Sequence, residues 1–225
     1  MIVSHQNHFI FIKNYKTAGS SIEKTIYPYL NHDDIIAQTE DYRGINCFGD
    51  FDSSSLKNLP HDQELKYKKH NFRFFAHMPA WLIRKRIGNA IFKKYYKIAI
   101  LRNPWDLIVS HFKWQNSSSN PYGTRQDFDS IIKNLSRYHP YDLINNLNRI
   151  CKLNSKEIII DKIIDFSDFK NELNKNFLNY GIKFDDIVHL KKTAQTPYQD
   201  YYNNKQKDEV YRYFNRTINL MKYDF

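Results

Sequence analysis

Short apolar runs alternate along this chain with segments in which apolar residues recur at helical spacing. The runs are β-branched or aromatic and are typical of buried strands. They cover 8–13, 71–76, 95–101 and 158–166. The helical patterns cover 22–30, 80–94, 104–114, 127–137, 141–152, 167–180 and 204–220. Strands that alternate with helices predict an α/β fold in which a parallel β-sheet is flanked by helices on both faces.

Composition narrows the class of protein. Of the 225 residues, 41% are hydrophobic and 16% aromatic, which excludes a disordered chain. No repeat or clear linker divides the sequence, so we expect one domain over 1–225. No run approaches the ~20 apolar residues of a transmembrane segment. Two cysteines and no apparent signal peptide favour a reducing, cytoplasmic location.

The chain carries 34 Lys and Arg against 24 Asp and Glu, a formal net charge of +10. Scattered lysines often serve only solubility. The other interpretation is an anionic ligand, either a nucleotide or a polyanion. Charge alone does not distinguish a role in solubility from an anionic ligand, so the sequence motifs have to decide between them.

A loop of small and polar residues joins the first predicted strand to the first predicted helix. It comprises Lys16, Thr17, Ala18, Gly19, Ser20 and Ser21. A helix N-terminus leaves backbone N–H groups unpaired and carries partial positive charge, so this loop can cradle a phosphate with help from the Lys16 ammonium. A helix start capped by Thr17 or Ser20 is the alternative. The Walker A pattern GxxxxGKS/T is absent.

Arg102 follows the third predicted strand, and Ser110 stands eight residues later, inside the next predicted helix. Ligands of parallel α/β sheets bind outside the carboxyl ends of the strands. An Arg fork with a Ser hydroxyl at this edge is suited to a phosphate group. An Arg that caps carbonyl groups, with a solvent-facing Ser, is the alternative.

Together the two segments resemble the sulfotransferases that use 3′-phosphoadenosine 5′-phosphosulfate (PAPS). The strand–KTAGSS–helix unit is similar to their 5′-phosphosulfate loop, and RNPWDLIVSHF is similar to their 3′-phosphate motif. The carbohydrate sulfotransferases look closest, especially the branch of heparan sulfate 2-O-sulfotransferase, through Ala76-His77 and HLKKT at 189–193. Tyr15 replaces the usual Pro and Leu107 replaces a frequent Arg.

The resemblance implies a P-loop-like nucleotide-binding sulfotransferase fold, with PAPS as sulfuryl donor and a carbohydrate or polysaccharide hydroxyl as acceptor. It implies that Lys16 contacts the 5′-phosphosulfate and that the backbone of 17–21 holds the phosphate. Arg102 and Ser110 would bind the 3′-phosphate. The residues that would close over the nucleotide are Lys191, Lys192 and Thr193. No metal is expected, because sulfate carries less charge than phosphate, and the basic surplus suits an anionic acceptor.

The acceptor hydroxyl needs a general base, and His77 is the first candidate because imidazole titrates near neutrality and this His matches the family's. A structural His bonded to a turn carbonyl is the alternative role. Glu23, one turn into the first helix, is the alternative base. Two other functions stay open, namely a phosphotransferase with a degenerate P-loop and a nucleic-acid-binding module. The sequence shows no obvious Walker B Asp, which weighs against the phosphotransferase. It also shows no RNA-binding or zinc-finger pattern, so we expect no nucleic-acid partner.

Overall fold

The computed structural model describes residues 1–39, 43–117, 125–184, 187 and 196–225. The described residues form two compact units. One consists of the described parts of Met1–Leu101 and His139–Leu190, and the other of those of Arg102–Tyr138 and Lys191–Phe225. A single domain over 1–225 stays a prediction.

A five-stranded sheet lies in the first unit. Its strands are β1 (Ile2–Ser4), β2 (Phe9–Ile12), β3 (Ile35–Ile36), β4 (Tyr96–Leu101) and β5 (Lys162–Asp165). The strand order is β3-β1-β2-β4-β5. β2, β4 and β5 are parallel, as predicted, with Ile12 opposite Ala99 and Ala99 opposite Ile163.

The prediction of a parallel sheet is wrong for β1 and β3, two strands that the sequence pattern did not predict. Both of these strands pair antiparallel, β1 with β2 and β3 with β1. For β1 and β2 the reason is the length of the connection, because only residues 5–8 separate the two strands, and so short a turn can join only antiparallel strands. The sheet is therefore mixed.

Helices surround the sheet and also build the second unit. They are α1 (Gly19–Ile26), α2 (His61–Lys69), α3 (Ala80–Ile87), α4 (Asn89–Lys94), α5 (Pro104–Gln115), α6 (Phe128–Lys133), α7 (Asn146–Arg149), α8 (Phe169–Phe177) and α9 (Asn204–Met221). None of the helices in the described ranges is long and apolar enough to cross a membrane.

Three further sequence-based predictions are wrong, and one of them is the helix over 141–152, of which only Asn146–Arg149 is helical. The predicted strand 71–76 forms turns, with a single antiparallel bridge between Phe48 and Phe72. Phe74 and Phe75 are both buried although they are adjacent, which the alternation of a one-sided strand does not produce. The predicted helix 80–94 is interrupted at Gly88, whose φ of 88° ends α3 before α4 begins.

The core of the first unit lies on both faces of the sheet. Phe9 and Phe11 of β2 belong to a buried cluster that includes Ile22 of α1 and Phe177 of α8. Ile10, which points to the opposite face, is equally buried. The α/β prediction, a central sheet flanked by helices, is thus confirmed.

The second unit is built from α5, α6 and α9. The indole of Trp105 donates to the Lys207 carbonyl at 3.1 Å, and the Trp105 carbonyl accepts from the Tyr202 hydroxyl at 2.8 Å. Phe112 packs edge-on against Phe128 at 5.3 Å between ring centroids. The helix predicted over 204–220 is confirmed, and it buries Val210 and other core residues as its spacing predicts.

Candidate active site

The loop between β2 and α1 has an unusual backbone. Lys16 and Ala18 both adopt the left-handed region, each with φ 57°. Such a conformation costs energy for residues with a Cβ and is found where surrounding contacts enforce it. No side chain caps α1. The first N–H groups of the helix therefore lack the side-chain acceptor of a capped start, which favours the anion cradle over the alternative.

The two hydroxyls considered as caps make other bonds. Thr17 is buried, and its hydroxyl donates to the Asn14 carbonyl at 3.0 Å. Ser20 accepts from the Lys13 ammonium at 3.1 Å. Both hydroxyls thus form hydrogen bonds that stabilise the loop. Lys16, the first residue of the loop, is partly exposed.

Lys13 lies beneath the loop and was missed by the sequence-based prediction. Its aliphatic chain packs against Gly19, where an added Cβ would lie 2.6 Å from the Lys13 Cγ. Its ammonium also contacts Glu23 at 2.5 Å. Gly19 is therefore required for close packing, and Lys13 connects the loop to α1.

Glu23 is unsuited to act as the alternative base. Its side chain is fully buried and contacts both the Lys13 ammonium and the amino group of Met1. Burial by itself would raise the pKa of Glu23, but these two cations outweigh it and lower the pKa to about 2. A carboxylate of such low basicity, with both oxygens engaged, is a poor proton acceptor.

His77 is held next to the loop. Its Nδ1 atom lies 3.1 Å from the Lys13 carbonyl oxygen, and its ring meets that of Tyr15 edge-on with 5.8 Å between centroids. A carbonyl oxygen only accepts, so the hydrogen bond places the proton on Nδ1 and leaves the lone pair on Nε2. The hydrogen bond to the Lys13 carbonyl fits a purely structural His77. It equally fits a base, because it leaves Nε2 able to accept a proton.

The charge state of His77 follows from its surroundings. Burial lowers the pKa of His77 well below its usual 6.5, and the nearby cations Lys13 and Arg149 lower it further. The ring is therefore neutral at neutral pH. His77 itself has φ 59°, another left-handed residue in this site.

Arg102 and Ser110 lie in the second unit. The Arg102 guanidinium forms a bidentate pair with Asp106, with Nε–Oδ2 at 2.6 Å and Nη2–Oδ1 at 2.8 Å. Ser110 is buried within α5. The sequence-based prediction gave Arg102 no carboxylate partner, and a phosphate there would have to share or displace Asp106. Lys191, Lys192 and Thr193 lie outside the described residues.

The described residues include no group of three or more His, Cys, Asp or Glu side chains arranged to hold a metal ion. Within the first unit the structure brings together the loop 16–21 and His77 through Lys13. Lys13 precedes the loop motif by only three residues, but nothing in its type distinguishes it from the other lysines of this basic chain.

Comparison with known proteins gives limited similarity. No family model matches the chain. An uncharacterized protein of Archaeoglobus fulgidus is 25% identical over 122 residues, which are 54% of this chain and 98% of that protein.

Two solved structures resemble the fold over most of the chain. Mouse sulfotransferase SULT7A1, complexed with PAP, has a TM-score of 0.48 and 15% identity, and the match covers 96% of this chain and 85% of that one. A sulfotransferase from Alicyclobacillus acidocaldarius has a TM-score of 0.47 and 14% identity, with 98% and 97% covered. Similarity at this level does not assign the chain to a family.

Proposed function

We propose that the protein is a PAPS-dependent sulfotransferase that transfers the sulfuryl group to an acceptor hydroxyl. The observation that carries the proposal is the uncapped start of α1 beside a neutral histidine. Left-handed Lys16 and Ala18 precede the helix, and His77 is tied to the same segment through the Lys13 carbonyl. An anion cradle and a prepared base are the two parts that sulfuryl transfer to a hydroxyl requires.

The proposed chemistry divides between these parts. His77 Nε2 accepts the proton of the acceptor hydroxyl as its oxygen attacks sulfur and the bond from sulfur to the bridging oxygen breaks. The Lys16 ammonium and the N–H groups at the start of α1 offset the negative charge that builds on that bridging oxygen. The products are the sulfated acceptor and 3′-phosphoadenosine 5′-phosphate (PAP). In-line transfer of this kind depends mainly on positioning and charge stabilisation, and neither part calls for a metal.

The 3′-phosphate of the donor is assigned to Arg102 and Ser110. The Arg102 guanidinium donates two hydrogen bonds to Asp106, and we propose that the 3′-phosphate shares or displaces that carboxylate, because a guanidinium edge that donates to a carboxylate can donate in the same way to a phosphate. Lys191, Lys192 and Thr193 are proposed to contact the nucleotide on the resemblance alone.

The acceptor class is proposed to be a carbohydrate or polysaccharide. Support comes from Ala76-His77 and from HLKKT at 189–193, which resemble the carbohydrate branch. The net charge of +10 is compatible with an acidic glycan.

The proposal is tested by incubating the protein with PAPS and a panel of glycan acceptors and measuring PAP release and sulfated product. Lys16→Ala is expected to lower the rate by about 100-fold or more, as loss of a charge-stabilising group does. Lys24→Ala is the matched control, because Lys24 is an exposed lysine of α1. A chain that releases no PAP with any acceptor, or a Lys16→Ala variant as active as Lys24→Ala, would contradict the proposal.

A further inference from the structure

We propose that Asn146 is a positioning residue that keeps the segment 13–18, which leads into the loop 16–21, in its anion-binding conformation, an inference that rests on the proposed function. The Tyr15 N–H donates to Asn146 Oδ1 at 2.8 Å, and Asn146 Nδ2 donates to the Tyr15 carbonyl at 2.9 Å. One amide side chain, 131 residues away in the chain, thus binds both backbone polar groups of the residue that precedes Lys16.

The loop needs such support because regular pairing has ended. The register between β2 and β4 stops at Ile12 opposite Ala99. Asn14 supplies one more bond, from its Nδ2 to the Ile100 carbonyl at 2.9 Å. Asn146 then bonds Tyr15 much as a neighbouring strand would. Lys16, which follows, is left-handed and depends on surrounding contacts to stay so.

Asn146 is itself held firmly. It lies in α7, a helix of four residues that is too short to be stable alone. Three neighbouring side chains bond back to three consecutive carbonyl groups and fix the segment. The Asn145 amide donates to the His139 carbonyl at 2.6 Å, and the Asn148 amide donates to the Pro140 carbonyl at 3.0 Å. The Arg149 guanidinium donates to the Tyr141 carbonyl.

Burial makes these bonds difficult to replace. Asn146 is only 4% exposed, so water has little access to the two groups of Tyr15 that it binds. Without Asn146 the loop is expected to populate other conformations. Because only a fraction of the molecules would then hold the binding conformation, the apparent affinity for the donor falls by that fraction.

The test compares Asn146→Ala with Asn176→Ala. Asn176 is a matched control because it is partly buried and its Nδ2 donates to a backbone carbonyl at 2.6 Å, but that carbonyl belongs to Glu172 of α8 rather than to the loop. PAP affinity is measured by calorimetry at a temperature where circular dichroism shows every variant folded. We expect Asn146→Ala to weaken PAP binding by about 10-fold or more, and Asn176→Ala by less than about 2-fold.

A second readout needs no ligand. Hydrogen exchange of the Tyr15 amide in the free protein is expected to be faster in Asn146→Ala than in the wild type and unchanged in Asn176→Ala. Unchanged Tyr15 exchange in Asn146→Ala overturns the inference whether or not PAP binds. Wild-type PAP affinity in Asn146→Ala, or equal weakening in both variants, also overturns it and leaves the sulfotransferase proposal intact. Failure of the wild type to bind PAP overturns the proposed function instead.

Discussion

The Lys13 ammonium and the Glu23 carboxylate lie 2.5 Å apart beneath the start of α1, and both side chains are almost inaccessible to solvent. The same ammonium holds Ser20, and the backbone carbonyl of Lys13 holds His77. Lys13 thus contacts the proposed anion cradle, a buried carboxylate and the proposed base.

Removing the charge of Glu23 is expected to destabilise the fold. Glu23→Gln leaves the Lys13 ammonium buried without its carboxylate, which costs about 3–5 kcal/mol of the free energy of unfolding. Urea denaturation measures this loss. Glu209→Gln is the control, because that carboxylate pairs with Arg212 on the surface of α9. Equal free energies of unfolding for the two variants would contradict a stabilising role of the pair Lys13–Glu23.

The same pair predicts an acid transition. The pKa of Glu23 is about 2 in the folded protein against its usual 4.5, so the folded state binds the proton less readily than the unfolded state. The stabilisation that the ionised Glu23 carboxylate provides is complete above about pH 4.5 and is lost as the pH falls towards 2. Stability measured across this range should decline more in the wild type than in Glu23→Gln, which has no carboxylate to titrate at that position.

Loss of the proposed base should lower turnover without lowering donor affinity. His77→Ala is expected to reduce kcat by about 100-fold to 10,000-fold, the usual contribution of a general base. The Kd for PAP should change little, since the base acts on the acceptor. Steady-state rates and calorimetry separate the two quantities. A His77→Ala variant with near-normal kcat would remove His77 as the base.

The pH dependence of kcat/KM should carry the signature of His77. Burial and the nearby cations lower the pKa of His77 well below 6.5, so Nε2 stays unprotonated as the medium becomes mildly acidic. The acid limb is therefore expected below pH 6.5. The unfolded chain takes up that proton more readily, so stability also falls below pH 6.5, and circular dichroism at each pH must show the enzyme folded. An acid limb above pH 6.5 would contradict the assignment.

Much of the site could be predicted because its parts are local in sequence. The strand–loop–helix unit at 8–30 shows a strand-like run, small residues and then helical spacing, so the sequence predicts the loop between β2 and α1 where the structure has it. The strand β1 was missed, since Ile2–Ser4 is too short to show alternation. The run 71–76 was wrongly predicted to be a strand, because its buried phenylalanines lie in turns and bends.

The supporting contacts could not be predicted from the sequence. Tyr15 and Asn146 are brought together only by the fold, and Asn146 stands among similar asparagines at 145 and 148. The pairing of Lys13 with Glu23 likewise depends on α1 turning back over the end of β2. Such long-range polar contacts carry no periodic signal, which is why the loop residues were predicted and the residues that hold them were not.

The central claim is donor binding, and titration calorimetry with PAP, 5′-AMP and ATP tests it most directly. The wild type should bind PAP at least about 10-fold more tightly than 5′-AMP or ATP, because neither competitor carries a 3′-phosphate for Arg102. Arg102→Ala should abolish that preference while the exposed control Arg137→Ala retains it. No binding of PAP, or equal binding of PAP and ATP, would contradict the sulfotransferase account.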